Sequence, residues 1–148
     1  MKVLIAVDDD SESHDAVEFA KRALAHDAEV IVLNVAQYAV SAAGTMGTFA
    51  MGAYGDAMLT TETHQRLAEE AELEAERTVE AAGSLIDAKE TRVAHGDVGP
   101  TICSVAEEEG VDLVVLGTHD RSRWARLWFG SVSEHVLHNA PCPVLVVR

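Results

Sequence analysis

Short runs of branched apolar residues, each too brief for a helix and each separated from the next by a helical pattern, constrain this chain more than any other feature. Residues 2–7 (KVLIAV), 30–35 (VIVLNV), 112–116 (DLVVL) and 144–147 (VLVV) are the clearest. Runs of this length and composition read as strands buried on both faces. A further strand is expected near residues 89–95. Between the strands, apolar residues recur at helical spacing. Ser11 or Ser13 offers an N-cap to a helix with Asp15 and Glu18 in its first turn and a stripe of Ala16, Phe19, Ala20, Ala23 and Leu24. Leu67, Ala71, Ala75, Val79 and Ala82 mark a second helix over about 61–82, glutamate-rich outside and closed near Gly83. Asp97 can cap a third, with Pro100 in its first turn, Ile102, Val105 and Ala106 inward, and Gly110 just past its end. Ser131 to about His138 form a fourth, and Pro141-Cys142-Pro143 turns the chain into the last strand. The order β-α-β-α-β-α-β-α-β predicts one α/β domain over residues 1–148, a doubly wound, five-stranded parallel sheet with helices on both faces. Ligands of such sheets bind beyond the carboxyl ends of the strands, where the strand order reverses.

With 148 residues, 48% of them apolar, the chain can bury a core. No stretch approaches the roughly 20 apolar residues that span a bilayer. The apolar start, Met1 to Val7, runs straight into Asp8-Asp9-Asp10 and is too short for a signal peptide, so a cytoplasmic protein is expected. There are 25 acids against 11 bases, a formal net charge of −14, and lysine occurs only at positions 2, 21 and 89. Such a chain repels a nucleic-acid backbone. Its acidity fits either a surface suited to a salty cytoplasm, as in halophilic proteins, or a face for a basic partner. Residues 36–60 carry Gly44, Gly47, Gly52 and Gly55 without a clean period and read as a long functional loop. Cys103 and Cys142 form no C-x-x-C and read as small half-buried apolar side chains.

The chemistry concentrates between Gly117 and Ser133. A buried strand ends at Gly117, a loop follows, and Gly130, Ser131 and Ser133 open a helix. The first amides of a helix lack internal partners and carry partial positive charge. A glycine there admits close approach, and serine hydroxyls can donate to phosphate oxygens, which makes an anion site. An ordinary serine-capped helix has the same local sequence. Trp124, Leu127, Trp128 and Phe129 form an apolar cluster in the loop, and His119 lies beside it. His135 and His138 share a helix face without a third ligand. There is no G-x-S-x-G elbow and no Walker lysine motif, so a binding module is expected and not an enzyme.

The segment resembles the phosphate-binding motif of the universal stress protein family, G-x2-G-x9-G-[ST], with Gly117 as the first glycine and Gly130-Ser131 as the last pair. The start VLIAVDDDSESHDAVEFA, the stretch GDVGPTICSVAEEEGVDLVVLG and the tail GSVSEHVLHNAPCPVLVVR resemble the family as well, so nearly the whole chain outside 36–60 is covered. The resemblance implies an adenine nucleotide alpha hydrolase-like fold and a stress-response regulatory module that binds ATP or a related adenine nucleotide, with Mg²⁺ or Mn²⁺ accompanying it. By the same resemblance Ala6, Val7 and Asp8 would meet the adenosine, Val35 the adenine through its backbone, and Gly117 the ribose. Gly130, Ser131, Val132 and Ser133 would hold the phosphates. A homodimer through Val144 to Val147 is implied too, and an apolar strand at a sheet edge is a natural pairing surface.

One position departs from the motif. Asp120 replaces its middle glycine. Asp tolerates positive φ better than most residues. A carboxylate about 4 Å from a phosphate charge costs on the order of 1–4 kcal/mol, roughly tenfold to several-hundredfold in affinity. Salt, the nearby Arg121, Arg123 and Arg126, or a bridging Mg²⁺ would each reduce that cost. Two readings follow. In one, a nucleotide-responsive regulator orders the 36–60 loop over its ligand and a protein partner reads the ordered state. In the other, Asp120 marks an impaired phosphate site on a nucleotide-free dimeric interaction protein.

Overall fold

The computed structural model describes residues 1–8, 11–24, 27–36, 61–117 and 131–147. Five strands and four helices alternate: β1 (Lys2–Ala6), α1 (Ser11–Ala23), β2 (Glu29–Ala36), α2 (Thr61–Ile86), β3 (Glu90–His95), α3 (Val98–Glu109), β4 (Leu113–Gly117), α4 (Ser131–Asn139) and β5 (Val144–Val147). The strands form one sheet in the order β3-β2-β1-β4-β5, and every pairing is parallel. This is the doubly wound architecture expected from the alternation.

The period of two along each strand divides the core. Val3, Ile5 and Val7 join Ala16, Val17 and Ala20 of α1 and Val79 and Ala82 of α2 on one face of the sheet. Leu4, Ile31 and Leu33 join Ile102, Val105 and Ala106 of α3 and Val136 of α4 on the other. Burying both faces explains why the central strands β1, β2 and β4 are nearly continuous apolar runs.

Several local expectations need correction. In α1, Phe19 and Ala23 face outward while Val17 is buried, so the stripe is rotated from the one expected. Ser13 is no N-cap: it is buried inside the first turn of α1, and its hydroxyl serves Asp8. Asp97 occupies the N-cap position of α3 in extended backbone, but its side chain makes no capping hydrogen bond. Gly83 sits near the end of α2, as expected, but does not itself cap it. A Cβ there would meet Thr91 Cγ2 at 2.5 Å, so glycine lets α2 lie close against β3. The helix ends instead with Asp87 in the left-handed region (φ 56°), and the Ala88 amide donates to the Gly83 carbonyl at 2.9 Å in a Schellman closure. Gly110 closes α3 as expected, at φ 59° and ψ 46°, with amides of Gly110 and Val111 returning to Glu107 and Ala106.

Candidate functional site

The strand order reverses between β1 and β4. From their carboxyl ends β1 connects outward to β2 and β4 outward to β5, so the two crossovers diverge and leave a crevice above the sheet. A cleft of about 460 Å³ opens there. Eight of the ten residues expected from sequence line it: Ala6, Val7, Asp8, Val35, Gly117, Ser131, Val132 and Ser133. Asp120 and Gly130 lie outside the described residues, as do His119, the arginines at 121, 123 and 126, Trp124, Trp128 and the 37–60 stretch of the expected loop.

Each wall has a local cause. The ladder between β1 and β2 continues one residue past β1, where the Val7 amide donates to the Leu33 carbonyl at 2.8 Å. Asp8 is then held from two sides. Its amide donates to Ser13 Oγ at 3.0 Å, and the Ser13 hydroxyl donates to its carboxylate at 2.5 Å. The Asn34 side-chain amide donates to the Val7 carbonyl at 3.0 Å and is itself buried. These contacts fix Val7 and Asp8 at the mouth of the cleft.

On the opposite wall, α4 presents its first turn. Ser131 is exposed, Val132 half-buried and Ser133 buried, and all three border the cleft. Gly99 in the first turn of α3 sets the position of α4. A Cβ at Gly99 would stand 2.9 Å from the His135 side chain, so only glycine lets the two helices meet this closely. His135 is thereby a packing residue of α4.

Ala6, Val35, Val98, Ile102 and Leu116 supply an apolar section between these walls, and Glu74 of α2 adds a carboxylate to the rim. The cleft is polarised. Hydrogen-bond acceptors (Asp8, Asn34, Glu74) gather toward β1, β2 and α2, and helix amides with two serine hydroxyls gather at α4. Sequence reasoning missed Ser13 as a site residue, and also Asn34, Glu74, Val98 and Ile102. Asn34 had one available signal, as the only polar residue inside an apolar strand run.

Comparison with known proteins identifies the family. A family model described as the universal stress protein family matches residues 1–148. The chain belongs to the universal stress protein family. Universal stress protein MJ0531 of Methanocaldococcus jannaschii is 32% identical over 148 residues, 99% of this chain and 81% of that one. Universal stress protein YxiE of Bacillus subtilis is 30% identical, covering 99% of this chain and 98% of its own. Among solved structures, the M. jannaschii protein MJ0577 superposes with a TM-score of 0.73 at 24% identity, over 99% of this chain and 94% of that one. The Archaeoglobus fulgidus universal stress protein in complex with dAMP gives a TM-score of 0.64 at 20% identity, over 100% and 98%. These solved structures share the fold of this chain.

Elsewhere in this universal stress protein several charges form pairs. At the end of the sheet where the strands begin, Lys2 Nζ donates to Glu109 Oε2 at 2.7 Å and to the Glu109 carbonyl at 3.0 Å, closing the C-terminus of α3. The Lys2 ammonium, hydrogen-bonded to it, holds the Glu109 carboxyl below its ordinary value, and the same bond raises Lys2. Lys89 holds Glu29 down in the same way. Arg92 reaches Glu108 at 3.1 Å and Glu109 at 3.3 Å. Cys103 and Cys142 are free and half-buried, and burial pushes both thiols up. No described helix is long and apolar enough to cross a membrane.

Proposed function

We propose that this universal stress protein binds an adenine nucleotide, ATP by preference, in the cleft above β1 and β4, and acts as a regulatory module and not as a catalyst. The observation that carries the reading is the polarised cleft. A nucleotide has a flat apolar base bearing hydrogen-bond donors, a sugar with hydroxyls and an anionic tail. The base fits the section lined by Ala6, Val35, Val98, Ile102 and Leu116, and the sugar falls between Asp8 and Gly117. The phosphates reach the first turn of α4 at Ser131 to Ser133, where free amides and the helix dipole favour negative charge. The dAMP complex of the A. fulgidus relative supports the same ligand class. Mg²⁺ or Mn²⁺ would accompany the phosphates. The role is cytoplasmic, in keeping with the acidic composition, and a protein partner reads the liganded state.

A second reading rests on β5. All four residues of this edge strand are half-exposed although all are apolar. An edge of this kind favours pairing between copies, so a homodimer through Val144 to Val147 accompanies the nucleotide reading and would outlive its failure.

The test is direct. The protein is purified in molar salt and denatured, and the supernatant is analysed for nucleotide. Near-stoichiometric adenine nucleotide is expected. A clean supernatant together with no heat on titration with Mg·ATP would leave the nucleotide-free dimer as the function. Asp120→Gly then examines the departure from the motif. Affinity should rise roughly tenfold or more at low salt, and the gain should shrink as salt increases.

A further inference from the structure

The two cysteines lie far apart in sequence, Cys103 on α3 and Cys142 in the turn between α4 and β5, yet the fold brings them to one place. α3 and α4 each lead from the carboxyl end of the sheet back to the start of a parallel strand, so they run in the same direction, and they pack against each other. Their contact is fixed at Gly99, where an added Cβ would stand 2.9 Å from His135. Residues four apart share a helix face and lie about 6 Å further along. Cys103 therefore follows Gly99 down the face of α3 that is turned to α4, level with Asn139, which follows His135. Three residues after Asn139 comes Cys142. Continuing the β4–β5 register back from Val114 and Val144 sets Cys142 beside Asp112, where the strands begin. The period of two gives Cys142 the same face as Val144, and both cysteines pack, with Ala140, against the core on the α3 and α4 side. The two sulfurs also feel each other: burial first, and then Cys142, pushes the Cys103 thiol up.

From this convergence we infer that Cys103 and Cys142 form a dithiol that a peroxide closes into a disulfide, bracing α3 against the turn between α4 and β5. The inference stands apart from the nucleotide reading. Both thiols are free and half-buried, so a molecule as small as hydrogen peroxide can reach them. One sulfur, as its thiolate, attacks a peroxide oxygen; the O–O bond breaks, hydroxide leaves and a sulfenic acid forms. The other sulfur, as its thiolate, attacks that sulfur; the S–S bond forms and a second hydroxide leaves. The two hydroxides take up the two thiol protons. Two thiols and one hydrogen peroxide thus become one disulfide and two waters, and the two electrons lost by the sulfurs go to the peroxide oxygens.

Burial keeps both thiols above their ordinary value, so little thiolate is present at neutral pH and closure is slow there. Its rate should rise with pH as thiolate forms. The pair is thus set for sustained rather than brief oxidation. The bond would close a loop of about 40 residues, a span over which a cross-link favours the folded state by roughly tenfold to several-hundredfold. The other ends of α3 and α4 border the cleft, at Val98 and at Ser131 to Ser133, so the brace joins two of its walls from behind.

The experiment treats the reduced full chain with hydrogen peroxide at mildly alkaline pH. The chain is then denatured without reductant, its free thiols are blocked, and its peptides are read by mass. The expected product leaves no thiol to block and yields one pair of peptides joined at Cys103 and Cys142, two hydrogens lighter than their sum. Its urea midpoint should lie above that of the reduced chain, and reductant should reverse both changes. Cys103→Ala and Cys142→Ala, each keeping one thiol, should stop at the sulfenic acid, which a cyclic diketone traps. In the wild-type chain, oxygen added at the cysteines in place of the cross-link, a bond between two copies, or two thiols left intact would overturn the inference, because the sulfurs would then lie too far apart or too deep to meet. Those readings need no variant to fold. A cross-linked chain that unfolds no later in urea than the reduced one would overturn the bracing.

Discussion

The two ends of the sheet have been treated differently. Where the strands begin, charges meet charges: Lys2 with Glu109, Lys89 with Glu29, Arg92 with Glu108 and Glu109. The helix ends there are closed by their own backbone, at Asp87 and at Gly110. Where the strands finish, polar groups are positioned around an open cleft, with acceptors on one wall and the first turn of α4 on the other. Exposed ion pairs contribute little individually to stability. Their effect at the first end is to answer Glu29, Glu108 and Glu109 with Lys89, Arg92 and Lys2. At the second end, Ser13 and Asn34 instead bond to the chain so that neighbouring groups keep facing a cavity. Self-satisfaction marks the strand-start end and pre-organisation marks the end that carries the proposed site.

The largest effects should come from the two glycines that allow close packing, one near each end. Gly99→Val drives a side chain into His135 and should cost about 1–3 kcal/mol in a denaturant melt. It should also displace α4 and reduce nucleotide affinity at least about tenfold. Gly83→Val, against Thr91, should cost about as much stability but leave affinity within roughly twofold. A parallel loss of affinity in both variants would erase the distinction between the ends.

A middle-sized effect is expected at Ser13. Ser13→Ala removes both of its hydrogen bonds with Asp8. Stability should fall by about 1 kcal/mol and affinity by several-fold, the latter visible by titration at constant salt. A stability loss with unchanged affinity would make Ser13 a packing residue alone.

The smallest effect concerns pH at the strand-start end. The Glu109 and Glu29 carboxyls titrate lower in the folded protein than their ordinary values, because of Lys2 and Lys89. Their contribution is therefore fully present above the unfolded carboxylate pKa and is lost as pH falls through the folded one. Lys2 is raised, so its share is complete below its ordinary value and lost only at strongly alkaline pH. Lys2→Met should lower the melting temperature slightly at neutral pH and flatten part of its acid-side decline. An unaltered acid limb would remove this pair from the account.

How much of this was legible beforehand depended on whether the cause was local. The central strands were readable because burial on both faces writes itself as a continuous apolar run, as in Val30 to Leu33. Gly110 was readable because a left-handed helix end is a local demand. Gly83 was placed near the end of its helix, but its reason, the approach of Thr91, lies on another element. Asn34 and Ser13 were missed as site residues for the same kind of reason. The partner of Asn34 is 27 residues away in sequence, and a serine next to a helix start looks like a cap until Asp8 is seen beside it. The motif at Gly117 and Ser131 was readable through family resemblance, whereas its placement opposite Asp8 depended on the strand order.

The most direct measurement of the central claim is an amide-resolved NMR titration of the full chain with adenosine monophosphate. Shifts should concentrate at Asp8, Val35, Gly117 and Ser131 to Ser133, while Lys2, Lys89 and Glu109 stay still. Saturable shifts clustered at the strand-start end, or on the outer face of α2 with Ser131 to Ser133 unmoved, would contradict it.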